Sequence, residues 1–330
     1  MSFPENHYLT AVDGVRLHIR IKGTPGIRPP LLYLHGGPGG GLNLAAFETC
    51  AGPYLEPHFP VAYLHQRGVL RSRGSEKIDQ SLPLHIQDIH TAVSFLRRKF
   101  QRPRIYLVGH SWGGFTGFAY LVRYTWTVAG FVAICPVVSF PHVQQVLYAL
   151  VSKMVGLSGD PTARRELDSI GEPPYPDIDD FIRLQGLAVE LRGDPYRHIS
   201  VRDLSGYTGY SMDADHCLAI QAQIAASLWP ELYTLDLTAS LKKLATPLLM
   251  IACGRDGAVP AASVESAFSA YGTSNPGVVK QWLLLEGGNH LPFTEPANRQ
   301  RCMEGALNFL MGCAKSKKGT QPESRFPFEK

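Results

Sequence analysis

Ser111 lies in the run Gly109-His110-Ser111-Trp112-Gly113. A serine hydroxyl is a weak nucleophile until a base takes its proton, and that base needs a carboxylate to orient it. The run follows an apolar, β-favouring stretch, Ile105 to Val108, and precedes a small-residue, helix-compatible stretch, Gly114 to Tyr120. Strand, sharp turn and helix form the setting in which Gly-x-Ser-x-Gly presents a serine hydroxyl. The glycines suit it because a strained turn leaves no room for neighbouring Cβ atoms. The five residues alone fit a plain glycine-rich turn equally well, so partners must decide. Asp256 follows the apolar run Leu248 to Ala252, and His290 follows Trp282 to Leu285. Singly they read as a helix cap and a loop histidine. Together, in the order Ser, Asp, His and each just past a strand, they read as nucleophile, orienting acid and base.

Acyl transfer also needs N–H donors for the oxyanion, each worth roughly a hundredfold or more in rate. One expected donor is the backbone of Trp112, next to the nucleophile. The other is Gly37, in the loop His35-Gly36-Gly37-Pro38-Gly39-Gly40-Gly41. A phosphate-binding reading of this loop fails, because no Gly-Lys-Ser/Thr follows and the dinucleotide-binding glycine pattern lacks its context.

These residues need a scaffold that gathers strand ends. Val15 to Lys22 alternates apolar and polar after the turn signal Asp13-Gly14, which predicts an antiparallel hairpin. Short continuous apolar runs then follow at 31–34, 61–64, 105–108, 128–134, 248–252 and 282–285, the pattern of strands buried on both faces. Helical patterns at 86–100 and 297–311 lie between or after them. The expectation is an α/β fold with a mostly parallel central sheet, flanked by helices and carrying its ligand site at the strands' C-terminal edge. Alternation stops near Pro136 and resumes near Pro247. The stretch between, with helical patterns at 143–155, 179–191 and 214–228, predicts a helical cap inserted after the sixth strand. The organisation expected is a core of 1–135 and 246–313, a cap of 136–245, and a polar tail, 314–330, too polar to pack.

Composition narrows the partners. The chain has 330 residues, 45% hydrophobic and 18% charged, with 32 basic and 28 acidic side chains. That suits a globular enzyme and gives no basic groove for nucleic acid. No signal-peptide pattern opens the chain and no run reaches the ~18 apolar residues of a membrane span. The six cysteines show no C-x-x-C spacing and read as reduced thiols of a cytoplasmic protein, not as a disulfide framework or zinc site. His216-Cys217 lacks ligand partners nearby. No metal or organic cofactor is implied, since protein groups supply nucleophile, base and donors.

His35-Gly36-Gly37-Pro38-Gly39, Gln66-Arg67-Gly68, Gly109-His110-Ser111-Trp112-Gly113-Gly114, Asp256 and His290 together resemble the proline iminopeptidase family of α/β-hydrolase serine peptidases, family S33. The resemblance covers about residues 8–135 and 245–312. It implies the α/β-hydrolase fold and roles for Ser111 as nucleophile, His290 as base, Asp256 as orienter and Gly37 with Trp112 as oxyanion hole. Two departures stand out. The family pattern Asp-Gln-Arg-Gly-x-Gly-x-Ser reads His65-Gln66-Arg67-Gly68-Val69-Leu70-Arg71-Ser72 here. The cap glutamates that bind a substrate's α-amine in aminopeptidase members have no clear counterpart; Glu190 is the nearest candidate. Tyr196, Tyr207, Tyr210 and Trp229 are candidate pocket aromatics, or simply packing residues. The function expected is a serine hydrolase acting through an acyl-enzyme on an amide or ester bond of a small molecule or short peptide. The alternatives are an esterase or lactonase of a specialised metabolite, an acyltransferase, and a small-molecule receptor on a hydrolase fold.

Overall fold

The computed structural model describes residues 5–24, 26, 28–73, 78–192 and 213–315. Its centre is an eight-stranded sheet in the order β1-β2-β4-β3-β5-β6-β7-β8. The hairpin is real: β1 (Glu5–Thr10) pairs antiparallel with β2 (Arg16–Gly23), and β2 runs antiparallel to β4 (Pro60–Leu64). From β3 (Leu31–Leu34) through β5 (Ile105–His110), β6 (Val128–Ile134), β7 (Leu248–Cys253) and β8 (Lys280–Leu285) the pairing is parallel.

The continuous apolar runs have two destinations. In β5, Ile105 and Leu107 join the core on one face of the sheet and Tyr106 and Val108 the core on the other. In β7, Leu248, Met250 and Ala252 face one way, Leu249, Ile251 and Cys253 the other. Side chains alternate across a strand, so a strand covered on both faces must be apolar throughout. One cover is α3 (Leu82–Lys99) with α4 (Trp112–Tyr124); the other is α1 (Gly41–Cys50), the short α2 (Gly52–Leu55) and α11 (Pro296–Lys315).

Between β6 and β7 the described chain is helical: α5 (Phe140–Ser158), α6 (Pro161–Ile170), α7 (Ile178–Leu191), α8 (Ala214–Leu232) and the short α9 (Thr238–Leu241). α10 (Ala261–Ala270) follows β7. Ser139, Asp160, Asp177 and Asp213 cap α5 to α8 with side-chain oxygens. Trp229 stacks on Phe181 (centroids 5.2 Å) and donates its indole N–H to the Tyr175 carbonyl (2.9 Å), so it packs the helices together. Tyr196, Tyr207, Tyr210 and the tail beyond Lys315 lie outside the described residues, and α11 continues through 314 and 315, where a polar tail was expected. No helix among the described residues is long and apolar enough to cross a membrane. All six cysteines are buried thiols.

Candidate active site

Gly37, Gln66, Ser111, Cys135, Asp256 and His290 follow β3, β4, β5, β6, β7 and β8 respectively, so one edge of the parallel sheet collects them all. That is where strand carboxyl ends open to a ligand.

Ser111 adopts φ 54°, ψ −115°, a backbone conformation that side chains other than glycine rarely take. The strain is held from both sides: Ser111 N–H donates to the Ile134 carbonyl (3.0 Å), and the Ser111 carbonyl accepts from Phe115 N–H (3.1 Å). A Cβ on Gly113 would run into the Leu34 carbonyl, and one on Gly109 into the Gly113 carbonyl. The two glycines therefore let β5, β3 and α4 close up around the serine. Trp112 is the first residue of α4, where helix N–H groups have no partner within the helix.

Asp256 and His290 meet. His290 Nδ1–H donates to Asp256 Oδ2 at 2.8 Å, and the other carboxylate oxygen accepts the N–H groups of Ala258 and Val259, both at 2.8 Å. Asp256 is fully buried, while His290 is 9% and Ser111 7% exposed. A buried carboxylate with three donors stays ordered and leaves the imidazole one orientation. The His290 loop is pinned by Glu295, which accepts Asn289 N–H (2.9 Å) and the Asn298 amide (2.6 Å).

A second chain of bonds joins His290 to the glycine-rich loop. His110, the residue before Ser111, donates Nε2–H to the His290 carbonyl (2.6 Å) and accepts the Asn43 amide at Nδ1 (2.9 Å). Asn43 Oδ1 in turn accepts Gly36 N–H and the Tyr33 hydroxyl, both at 2.8 Å. Burial holds His110 well below its ordinary pKa, so this single-tautomer arrangement persists at neutral pH. Within the loop, Gly37 has φ +133°, and Gly40 N–H donates back to the Gly36 carbonyl (3.2 Å).

Helices α7 and α8 bear on the same edge. Ile224 and Gln221 of α8 sit against Gly39, Ile224 reaches Gly68, and Val189 of α7 touches Gly257. Arg192, at the end of α7, donates to the Asp256 carbonyl (3.1 Å). Glu190 is exposed on α7. Sequence reasoning missed Asn43 and Ile224, which belong to no motif, and Cys135, whose thiol lies within 4.8 Å of the facing Asp256 and His290 atoms. His110 and Gln66 stood inside quoted motifs without a role.

Residues 29–158 match the family model for the alpha/beta hydrolase fold. The chain is 23% identical over 294 residues to the probable aminopeptidase YbaC of Bacillus subtilis (strain 168), covering 86% of this chain and 90% of that one. Among solved structures it resembles the proline iminopeptidase-related protein TTHA1809 from Thermus thermophilus (TM-score 0.61, 21% identity, 94% of this chain and 100% of that one). It also resembles the esterase RhEst1 from Rhodococcus sp. ECU1013 (TM-score 0.61, 17% identity, 93% and 99%). With the strand order above, these likenesses make the chain a hydrolase of the α/β-hydrolase fold.

Proposed function

We propose that the protein is a serine hydrolase that opens an ester or amide bond through an acyl-enzyme. The observation that carries this is the Asp256–His290 bond at 2.8 Å, on the sheet edge where Ser111 stands in a strained turn. Asp256 keeps the His290 proton on Nδ1, which leaves Nε2 as a base. His290 takes the Ser111 proton as Oγ attacks the carbonyl carbon, and the carbonyl π pair moves to oxygen. The N–H groups of Gly37 and Trp112 receive that oxyanion. Its collapse expels the leaving group, which takes the proton from His290. Water then attacks the acyl-enzyme with His290 again as base, and the acid departs as the Ser111 hydroxyl re-forms.

The described helices α5 to α9 act as a cap over this edge, supported by the seating of Ile224 and Gln221 on Gly39. The substrate is a small molecule or short peptide that fits beneath it. A relative carrying an aminopeptidase name and a neighbour carrying an esterase name support both bond types without choosing between them. Six buried thiols support a reducing, cytoplasmic setting.

A fluorophosphonate probe tests the nucleophile. Labelling mapped to Ser111, absent in Ser111→Ala, is expected; a folded wild-type protein left unlabelled refutes the reading. Turnover of a proline arylamide, its N-acylated form and simple aryl esters then sorts the substrates. Activity confined to the free amine marks an aminopeptidase; turnover of the esters or the acylated amide marks an esterase or amidase.

A further inference from the structure

We propose that Gln66 is a positioning residue that fixes both oxyanion donors relative to each other through one carboxamide. The inference rests on the serine-hydrolase reading above and assigns a role outside the triad.

Gln66 lies two residues past the end of β4 and is 3% exposed. Its Nε2–H donates to the His35 carbonyl at 3.0 Å, and its Oε1 accepts the indole N–H of Trp112 at 3.0 Å. The first partner sits two residues before Gly37, on the same loop. The second is the side chain of the residue whose backbone N–H is the other donor. One planar group thus spans the gap between β3's loop and the first turn of α4. Its backbone adds a third tie, Gln66 N–H to His35 Nε2 at 3.4 Å. His35 is built to accept there: its Nδ1–H is spent on the Gly36 carbonyl (2.7 Å), and burial lowers the ring to about 4, so Nε2 stays bare at neutral pH.

Trp112 is held as firmly on its other sides. Its ring stacks on Phe115 (centroids 5.6 Å, 16°) and meets the edge of His85 (5.4 Å, 89°). An indole fixed on three sides fixes its own backbone, and oxyanion stabilisation depends on donors set before the charge forms. The chemistry also selects the residue type. The site needs one donor and one acceptor on a side chain of this length. Glutamate supplies only acceptors and would set a lone pair against the His35 carbonyl; leucine supplies neither.

The test measures kcat and KM on an aryl ester for Gln66→Glu, Gln66→Leu, Trp112→Phe and the Gln66→Leu/Trp112→Phe double variant. Thermal midpoints and fluorophosphonate labelling are recorded alongside. Complete loss of one oxyanion donor costs roughly a hundred- to a thousandfold; displacing donors costs less, about ten- to a hundredfold in kcat, with KM within about twofold. Gln66→Glu keeps the Trp112 tie and loses the His35 tie, so it falls between wild type and Gln66→Leu. The double variant drops no further than Gln66→Leu alone, because leucine has already removed the indole's partner. If Gln66→Leu does not fold, Gln66→Glu and Trp112→Phe decide alone. Folded, normally labelled variants with kcat within twofold of wild type, or losses that track KM, overturn the proposal while leaving the serine reading intact. A wild type that resists the probe overturns the serine reading itself, and the proposal with it.

Discussion

Asp256→Asn separates the chemical duty of the acid from its structural one. In the native protein Oδ1 is held by Ala258 and Val259 N–H, and Oδ2 faces His290 Nδ1. The two backbone donors force the asparagine carbonyl into the Oδ1 place. Its NH2 then occupies the Oδ2 place and points a donor at Nδ1. His290 must answer with a lone pair there, so its proton moves to Nε2 and the base is lost. The equivalent change in a serine protease costs about 10⁴ in kcat, or about 5 kcal/mol at 1.36 kcal/mol per tenfold. The fold loses little, since both backbone bonds survive. Asp256→Ala behaves differently. It strands the Ala258 and Val259 N–H groups in a buried site, at about 1–3 kcal/mol for each, and lowers the unfolding midpoint as well as activity. Aryl-ester kinetics beside thermal melts distinguish the two. An asparagine variant that keeps more than a tenth of wild-type kcat, or one that melts as low as the alanine variant, refutes the argument.

Three further outcomes are expected. Gly113→Ala drives a methyl into the Leu34 carbonyl, costing about 1–3 kcal/mol or more by overpacking; an unchanged melting midpoint would contradict the close approach of α4 to β3. Arg67→Leu removes the two-pronged partner of buried Asp88, whose oxygens accept Arg67 Nε–H at 2.7 Å and Nη2–H at 2.8 Å. It costs about 3–5 kcal/mol, and adding Asp88→Asn recovers part; no recovery would mean the carboxylate is not the stranded group. Stability also falls on mild acidification. Burial, first of all, lowers His35 to about 4 and His85 to about 3, while an unfolded histidine protonates near 6.5. The unfolded chain therefore takes up these protons first. Stability is full above pH 6.5 and drops as pH falls towards 4, by up to about 3 kcal/mol for each such histidine. Denaturant midpoints that stay level from pH 7 to 4.5 would refute this.

Much of the frame was legible in the chain, and for identifiable reasons. A strand covered on both faces must be continuously apolar, so 105–108 and 248–252 announced themselves. Asp256 and His290 were legible because each follows such a run by a few residues. α1 was not, since Leu44 to Glu48 are all buried and no polar face marks it as a helix. α6 and α10 were passed over although Asp160 and Pro161 give α6 a sequence-level start. The support of the site was hidden for a different reason. Asn43 reaches His110 across 67 positions and Gln66 reaches Trp112 across 46, and no local pattern announces a bond that only the sheet's strand order creates.

The His65-to-Ser72 segment shows how far the departures from the family pattern reach. Leu70 stands where that pattern has glycine, and it keeps a glycine's backbone, φ 46°. The turn thus imposes the conformation whatever the residue, at a cost of about 1–2 kcal/mol for a left-handed side chain. What offsets it is packing: the Leu70 side chain lies against Gly41 and the apolar clusters on both sheet faces. His65, where the pattern has aspartate, is fully buried, with its ring edge-on to His18 at 4.3 Å. Loss of water, first of all, holds it well below its ordinary pKa, so a neutral ring replaces a charge. Its Nδ1 accepts Arg71 N–H (3.3 Å) and its carbonyl accepts the Ser72 hydroxyl (2.6 Å), which closes the turn without a carboxylate. Gln66 and Arg67 between them keep their bonds to His35, Trp112, Asp88 and Asp13. The substitutions therefore exchange one way of bracing the turn for another, and they leave the Gln66 ties to His35 and Trp112 standing.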